Sequence, residues 1–249
     1  MFKSRYQNQK VVWTGTDILL IILITISMTL LFNFLVASLL EHLSYIIPGV
    51  LSYKQIIVNF LQFATMLIVS MYIIFTKYGL SLKILGFQMI DLKKMVTLGI
   101  IGGFGICSMA MLVNLGVQKL IMEWWGIVIP SQPIITELME SQNQLTFILY
   151  ASLIVIVAPI TEEVFFRGLM YQYFKDRFGL FKGGLLAAVI FGALHFSLWS
   201  FLATFLGGLG LIILYEVSQS LYTSIIAHAT WNFIIVTIIY VLWQVNGVV

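Results

Sequence analysis

Charge is what this sequence has least of. Only 9% of its 249 residues are Asp, Glu, Lys or Arg, against 61% hydrophobic, where a soluble domain carries about 25% charged residues. So little charge cannot clothe a water-facing surface, which excludes a soluble globular fold. Cysteine is nearly missing. Cys107 stands alone inside an apolar run, which excludes an intrachain disulfide and any Cys-rich zinc site and leaves it the part of a small buried hydrophobe. The formal net charge is only +3, and the basic residues fall in short stretches between apolar runs. No basic patch forms, so no nucleic-acid partner is expected.

What the sequence does have is apolar residues in blocks, with a mean hydropathy of +1.04. About 20 residues at 1.5 Å rise cross a hydrocarbon core of ~30 Å. Blocks of that kind fall near 18–40, 55–76, 95–117, 145–174, 181–199, 202–217 and 221–243. The fold class is therefore all-α: a polytopic transmembrane helical bundle of about seven spans, with the last four as a catalytic core. Residues 1–144 are expected to hold the N-terminal transmembrane helices and an outer loop, and residues 145–249 the core. The first apolar run is longer than the 7–15 residues of a signal-peptide h-region and no small-x-small site follows it, so it reads as a membrane span. The sixth block is short and carries Gly207, Gly208 and Gly210, which predicts a broken or tilted helix. Gly99, Gly102, Gly103 and Gly105 in the third predict close helix packing. The stretch 119–144, with Trp124, Trp125, Pro130 and Pro133, reads as an interfacial loop or short helix.

Loop charge orients the bundle. With the N-terminus in the cytoplasm, Lys3, Arg5, Lys10, Lys77, Lys83, Lys93, Lys94, Arg167, Lys175, Arg177 and Lys182 fall inside, and only Lys54 and Lys119 outside. That asymmetry favours a cytoplasmic N-terminus, and the expected location is the plasma membrane as an integral protein.

Ionisable side chains within membrane helices are costly and mark function. Here they gather at Glu162, Glu163 and Arg167, at His195, and at His228 with Asn232. Glu163 and Arg167 are four apart and can pair on one helix face. Glu162 points about 100° away, so one glutamate can be neutralised while the other faces a cavity. Phe191 shares a face with His195, and His228 shares one with Asn232. His42 falls outside this set, in the first outer loop. A carboxylate that takes a proton from water, with histidine and an amide aimed at a developing oxyanion, is a sufficient kit for hydrolysis. Counted in residues, Glu162 and His195 lie roughly 18–21 Å from the cytoplasmic helix ends and His228 only about 10 Å, so the last helix must be tilted or offset for the three to meet.

The ordered motifs Glu162-Glu163-x-x-x-Arg167, Phe191-x-x-x-His195 and His228-x-x-x-Asn232 resemble the CAAX-protease and bacteriocin-processing intramembrane peptidases (type II CAAX prenyl endopeptidase-like, abortive-infection-type) over about residues 145–249. The resemblance implies an intramembrane endopeptidase in which Glu162 and His195 activate water, His228 and Asn232 stabilise the oxyanion, and Glu163, Arg167 and Phe191 support them. It also implies a metalloprotease. The HExxH zinc signature is lacking, but Glu162, His195 and His228 could hold zinc with one open position. The partners implied are membrane lipids and a peptide or lipidated-protein substrate. Two rival functions use the same residue types: a catalytically silent bacteriocin immunity protein, and a proton-coupled transporter, for which Glu216 offers a further loose acidic group.

Overall fold

The computed structural model describes residues 10–128 and 133–245; Lys3, Arg5 and Pro130, used above, lie outside the described residues. The chain is a helical membrane bundle. Among the described residues, six helical stretches are long and apolar enough to cross a bilayer: Gly15–Ser44, Val50–Lys77, Leu92–Trp125, Gln144–Ala193, Phe201–Ser218 and Leu221–Val245.

Helix α1 (Gly15–Ser44) opens with a capping box between Thr14 and Asp17. Asp17 is 3% exposed and also meets Lys77 and the Tyr78 hydroxyl. These contacts tie the start of α1 to the π turn 73–77 that closes α2 (Lys54–Tyr72). The two helices thus form an antiparallel hairpin. His42 sits in the last turn of α1, far along the chain from the clustered motifs.

Helix α3 (Leu92–Trp125) is capped by Asp91 at its start and by Gly126, at φ 63°, at its end. It runs well past the expected 95–117. Three of its five glycines do what small residues do in membrane bundles. A Cβ at Gly99 would strike Ile226, one at Gly102 would strike Leu214, and one at Gly103 would strike the carbonyl of Ala227; Gly105 faces nothing within 4 Å. Cys107 is buried, as expected. A short α4 (Pro133–Met139) follows, and the Trp243 indole donates to Ser141 beyond it.

The stretch Gln144–Ala193 is helical almost throughout but is not one rod. Its α-helical pieces α5 (Gln144–Ser152), α6 (Ala158–Glu163) and α7 (Gln172–Ala193) alternate with π turns at Leu153–Val157 and Val164–Tyr171. Gly179 then leaves helical geometry altogether, at φ 77° and ψ 172°. A Cβ on Gly183 would lie 2.6 Å from the backbone of Phe174 and Lys175, so the chain doubles back here. The fourth and fifth spans are therefore two arms of one bent stretch, divided as the sequence predicts. The second arm stops at Ala193, however, and not near 199. Residues 194–200 are a turn with Phe196 at φ 49°, so His195 stands at a helix end rather than inside a helix.

Helix α8 (Phe201–Ser218) is continuous, contrary to the break expected from its glycines. Those glycines serve contact: a Cβ at Gly207 would fall 2.4 Å from the Trp231 ring and one at Gly210 2.8 Å from Ile106. Glu216 is not loose. It accepts from Lys175 at 2.6 Å and from the Tyr171 hydroxyl at 3.0 Å. Helix α9 (Leu221–Val245) closes the bundle against α3.

Candidate active site

Pro159 sets the local geometry. In the π turn before it, the Ala158 N–H reaches back to Leu153 O, an i→i+5 bond. The next such bond would run from residue 159 to Ile154 O, and proline has no N–H to give. A carbonyl left open inside a membrane needs another donor, and Asn232 Nδ2 supplies it at 2.8 Å. The open carbonyl thus ties α9 to the arm that bears the two glutamates. At the end of the second π turn Leu169 O accepts both from the Gln172 N–H and from the Trp13 indole at 3.0 Å. Such turns recur at functional sites because they re-aim the side chains beside them.

Glu163 and Arg167 are 0% and 1% exposed and pair at 2.7 Å. The guanidinium also donates to Gly208 O at 3.2 Å and lies 4.3 Å from the centre of the Phe191 ring. The Glu163 carboxylate is filled on both oxygens. Oε1 meets Arg167 and, at 2.8 Å, His228 Nδ1; Oε2 takes the Ser224 hydroxyl at 2.6 Å. Gly208 lies on α8 and Ser224 and His228 lie on α9, so the pair ties its own arm to both helices.

Glu162 has the opposite character. Its Oε2 is buried without a hydrogen-bond partner, and the side chain lines two cavities, one of about 200 Å³ shared with His195, His228 and Asn232, the other of about 390 Å³ shared with His195. His228 Nε2 lies 3.9 Å from that orphaned oxygen. Each imidazole is held by its other nitrogen: His228 Nδ1 by Glu163, and His195 Nδ1 by Phe191 O at 2.7 Å. With Nδ1–H donating in each, both rings keep Nε2 free. Phe191 thus acts twice, as a platform for Arg167 and as the acceptor that orients His195.

The structure brings Glu162, Glu163, Arg167, Phe191, His195, His228 and Asn232 into one locus, despite the differing depths counted from helix ends. Sequence reasoning missed Ser224, Pro159 and Gly208. Ser224 was findable: it lies four residues before His228 and so shares its helix face.

The donor types suit zinc, and each ring is anchored at Nδ1 as metal-bound histidines are. The placement does not suit it: among the described residues no three His, Cys, Asp or Glu side chains are grouped to hold one ion. No step below is routed through a metal.

A carboxylate with a buried, unpartnered oxygen thus shares a cavity with two imidazoles inside a helical membrane bundle. Residues 144–234 match the family described as Type II CAAX prenyl endopeptidase Rce1-like, so the resemblance carried by the three motifs holds over that segment. The chain is 32% identical over 81 residues to a Bacillus subtilis (strain 168) protein named "Putative membrane peptidase YdiL", covering 32% of this chain and 33% of that one. It is also 32% identical over 72 residues to an Escherichia coli protein named "Uncharacterized 24.3 kDa protein", covering 28% and 33%. The matched part spans about a third of the length of each relative. No solved structure matches the chain.

Proposed function

We propose that this protein is an intramembrane endopeptidase that hydrolyses a peptide bond in a membrane-associated peptide or lipidated protein. The observation that carries the reading is the contrast at the glutamate pair: Glu163 is saturated, whereas the neighbouring Glu162 carboxylate keeps a buried, unpartnered oxygen on the cavity it shares with both histidines.

In this reading water in the cavity is bound between Glu162 and His195 Nε2. Glu162 takes one proton as the water oxygen attacks the scissile carbonyl. The carbonyl π electrons move to oxygen, and the resulting oxyanion is met by an Asn232 amide N–H and, when His228 carries both protons, by its Nε2–H. Collapse of the tetrahedral species breaks the C–N bond, and the proton held by Glu162 passes to the leaving amine. Low dielectric around the site strengthens each of these contacts. A cytoplasmic N-terminus, which the lysine and arginine asymmetry supports, and a plasma-membrane location belong to the same proposal.

The test compares peptide termini in host cells carrying wild type or Glu162→Gln at equal expression. Defined precursors are expected to accumulate uncut only with the variant. Identical termini would overturn the reading and favour an immunity or transport role. With a substrate in hand, 1,10-phenanthroline is expected to leave cleavage nearly unchanged; loss restored by zinc would instead show a required ion, for which Glu162, His195 and His228 are the candidate ligands.

A further inference from the structure

The larger cavity carries a polar face that the hydrolytic chemistry does not use. Gln55, Asn59 and Gln62 recur at i, i+4 and i+7 on α2, a single face of a membrane helix, and all three line the cavity that reaches Glu162. Glu137 of α4 lines it too, with Thr25 of α1. These residues lie outside the segment 144–234 that matches the peptidase family.

The polar atoms here are incomplete in one direction. Gln55 Nε2 donates to Glu137 Oε1 at 3.1 Å, with the Tyr150 phenol beside the same carboxylate. Yet Glu137 Oε2, Gln55 Oε1, Glu162 Oε2 and the Thr25 hydroxyl, the last on a residue 8% exposed, are all buried without a partner. Three of the four can only accept when the carboxylates are ionised. No lysine or arginine lines the cavity, and none pairs with either carboxylate among the described residues. Elsewhere in the bundle acidic groups have cations: Asp17 has Lys77, Glu163 has Arg167 and Glu216 has Lys175. Two carboxylates facing one cavity with neither cation nor enough donors is an unfinished electrostatic arrangement, costly in a membrane until a ligand completes it.

We propose that this cleft is a substrate subsite for a basic group, a lysine or arginine side chain of the peptide, with Glu137 as its counter-ion and the α2 amides binding the adjoining extended backbone. The inference rests on the peptidase reading and adds to it a preference in the substrate, set by α2 and α4 rather than by the catalytic arm. Glu137 is a binding residue here; it takes no part in bond cleavage.

The test uses the full chain, solubilised in detergent and immobilised, with a pool of synthetic apolar peptides each bearing one lysine and a matched pool bearing norleucine at the same place. Mass spectrometry reads both the retained and the cut peptides. Wild type is expected to retain the lysine pool about tenfold over the norleucine pool, in the range of a desolvated charge pair. Glu137→Gln, which keeps the acceptor for Gln55, is expected to bring the ratio to about one, and Glu137→Lys to favour a glutamate-bearing pool instead. Equal retention of both pools by wild type overturns the proposal and assigns the cleft to water entry; so does a lysine preference that survives in Glu137→Gln. The wild-type ratio decides even if both variants fail to fold. Lysine-selective retention with no cutting upholds the subsite and defeats the peptidase reading, whereas cutting without lysine preference does the reverse.

Discussion

Two polar regions lie a few ångströms apart in this bundle, and they differ in completeness. Around Glu163, charge, hydroxyl, imidazole and backbone carbonyl close on one another: each carboxylate oxygen has its donor and Arg167 reaches across to Gly208, with only Arg167 Nε left without a partner. Around Glu162 the acceptors outnumber the donors, and the surplus faces cavities. Adjacent residues of one helix thus divide between holding the fold and facing a ligand. The division follows from geometry, since consecutive side chains diverge by about 100° around the axis. A saturated buried network confers rigidity, and an unsaturated one is tolerable only where something else completes it.

The largest effect that would break this comparison is at Glu162. Glu162→Gln keeps the shape and removes the base, so cleavage is expected to fall by about 10²–10⁴ while the unfolding midpoint in detergent stays the same. A large drop in thermal stability would show that Glu162 holds the fold as Glu163 does. Arg167→Ala should do the opposite. It strands the Glu163 charge in the bundle, at a cost of about 3–5 kcal/mol, visible as a lower unfolding midpoint or lost expression. Arg167→Lys is not expected to recover it, because an ammonium cannot span Glu163 and Gly208 O as the fork does. A stable Arg167→Ala variant would remove the structural role given to the pair.

Much of this arrangement was legible in the sequence, for identifiable reasons. The i,i+4 spacing of Glu163 and Arg167 announced their pairing, and the 100° offset announced the separate fate of Glu162. The doubling back between the fourth and fifth arms was visible as a polar, glycine-bearing interruption, and Gly179 is where it falls. What stayed hidden depends on contacts between distant segments. The glycines of α8 look like helix breakers in sequence, but they accept Trp231 and Ile106 from other helices. The end of α7 at Ala193 falls where Leu194, Phe196, Leu198 and Trp199 carry the apolar run onward, so the run outlasts the helix. Glu216 looked loose because Lys175 and Tyr171, its partners, are more than forty residues away. No local pattern disclosed that Pro159 would hand the Ile154 carbonyl to Asn232.

A smaller change sharpens the saturated side. Ser224→Ala removes one donor from Glu163 but leaves Arg167 and His228 in place. A hydrogen bond to a charged group is worth about 1.5–3 kcal/mol, so the midpoint should fall measurably, with cleavage per folded molecule nearly unchanged. A selective loss of activity at full stability would move Ser224 from the supporting network into the site.

The smallest stability effect is expected at Asn232, which belongs to both regions. One amide N–H is spent on Ile154 O, while the side chain lines the cavity with Glu162, His195 and His228. Asn232→Ala reopens the Ile154 carbonyl, but side-chain hydrogen bonds between membrane helices average about 0.6 and reach only about 1.7 kcal/mol, so the unfolding midpoint should fall only modestly. Its second N–H is the part assigned to the oxyanion, where removing one donor costs about 10²–10³ in rate. The two readouts therefore separate cleanly. A steep fall in kcat with little change in stability places Asn232 on the chemical side of the divide. A stability loss matched by an equal loss of active protein, with kcat per folded molecule intact, confines it to tethering the π turn, and the oxyanion would then depend on His228 alone.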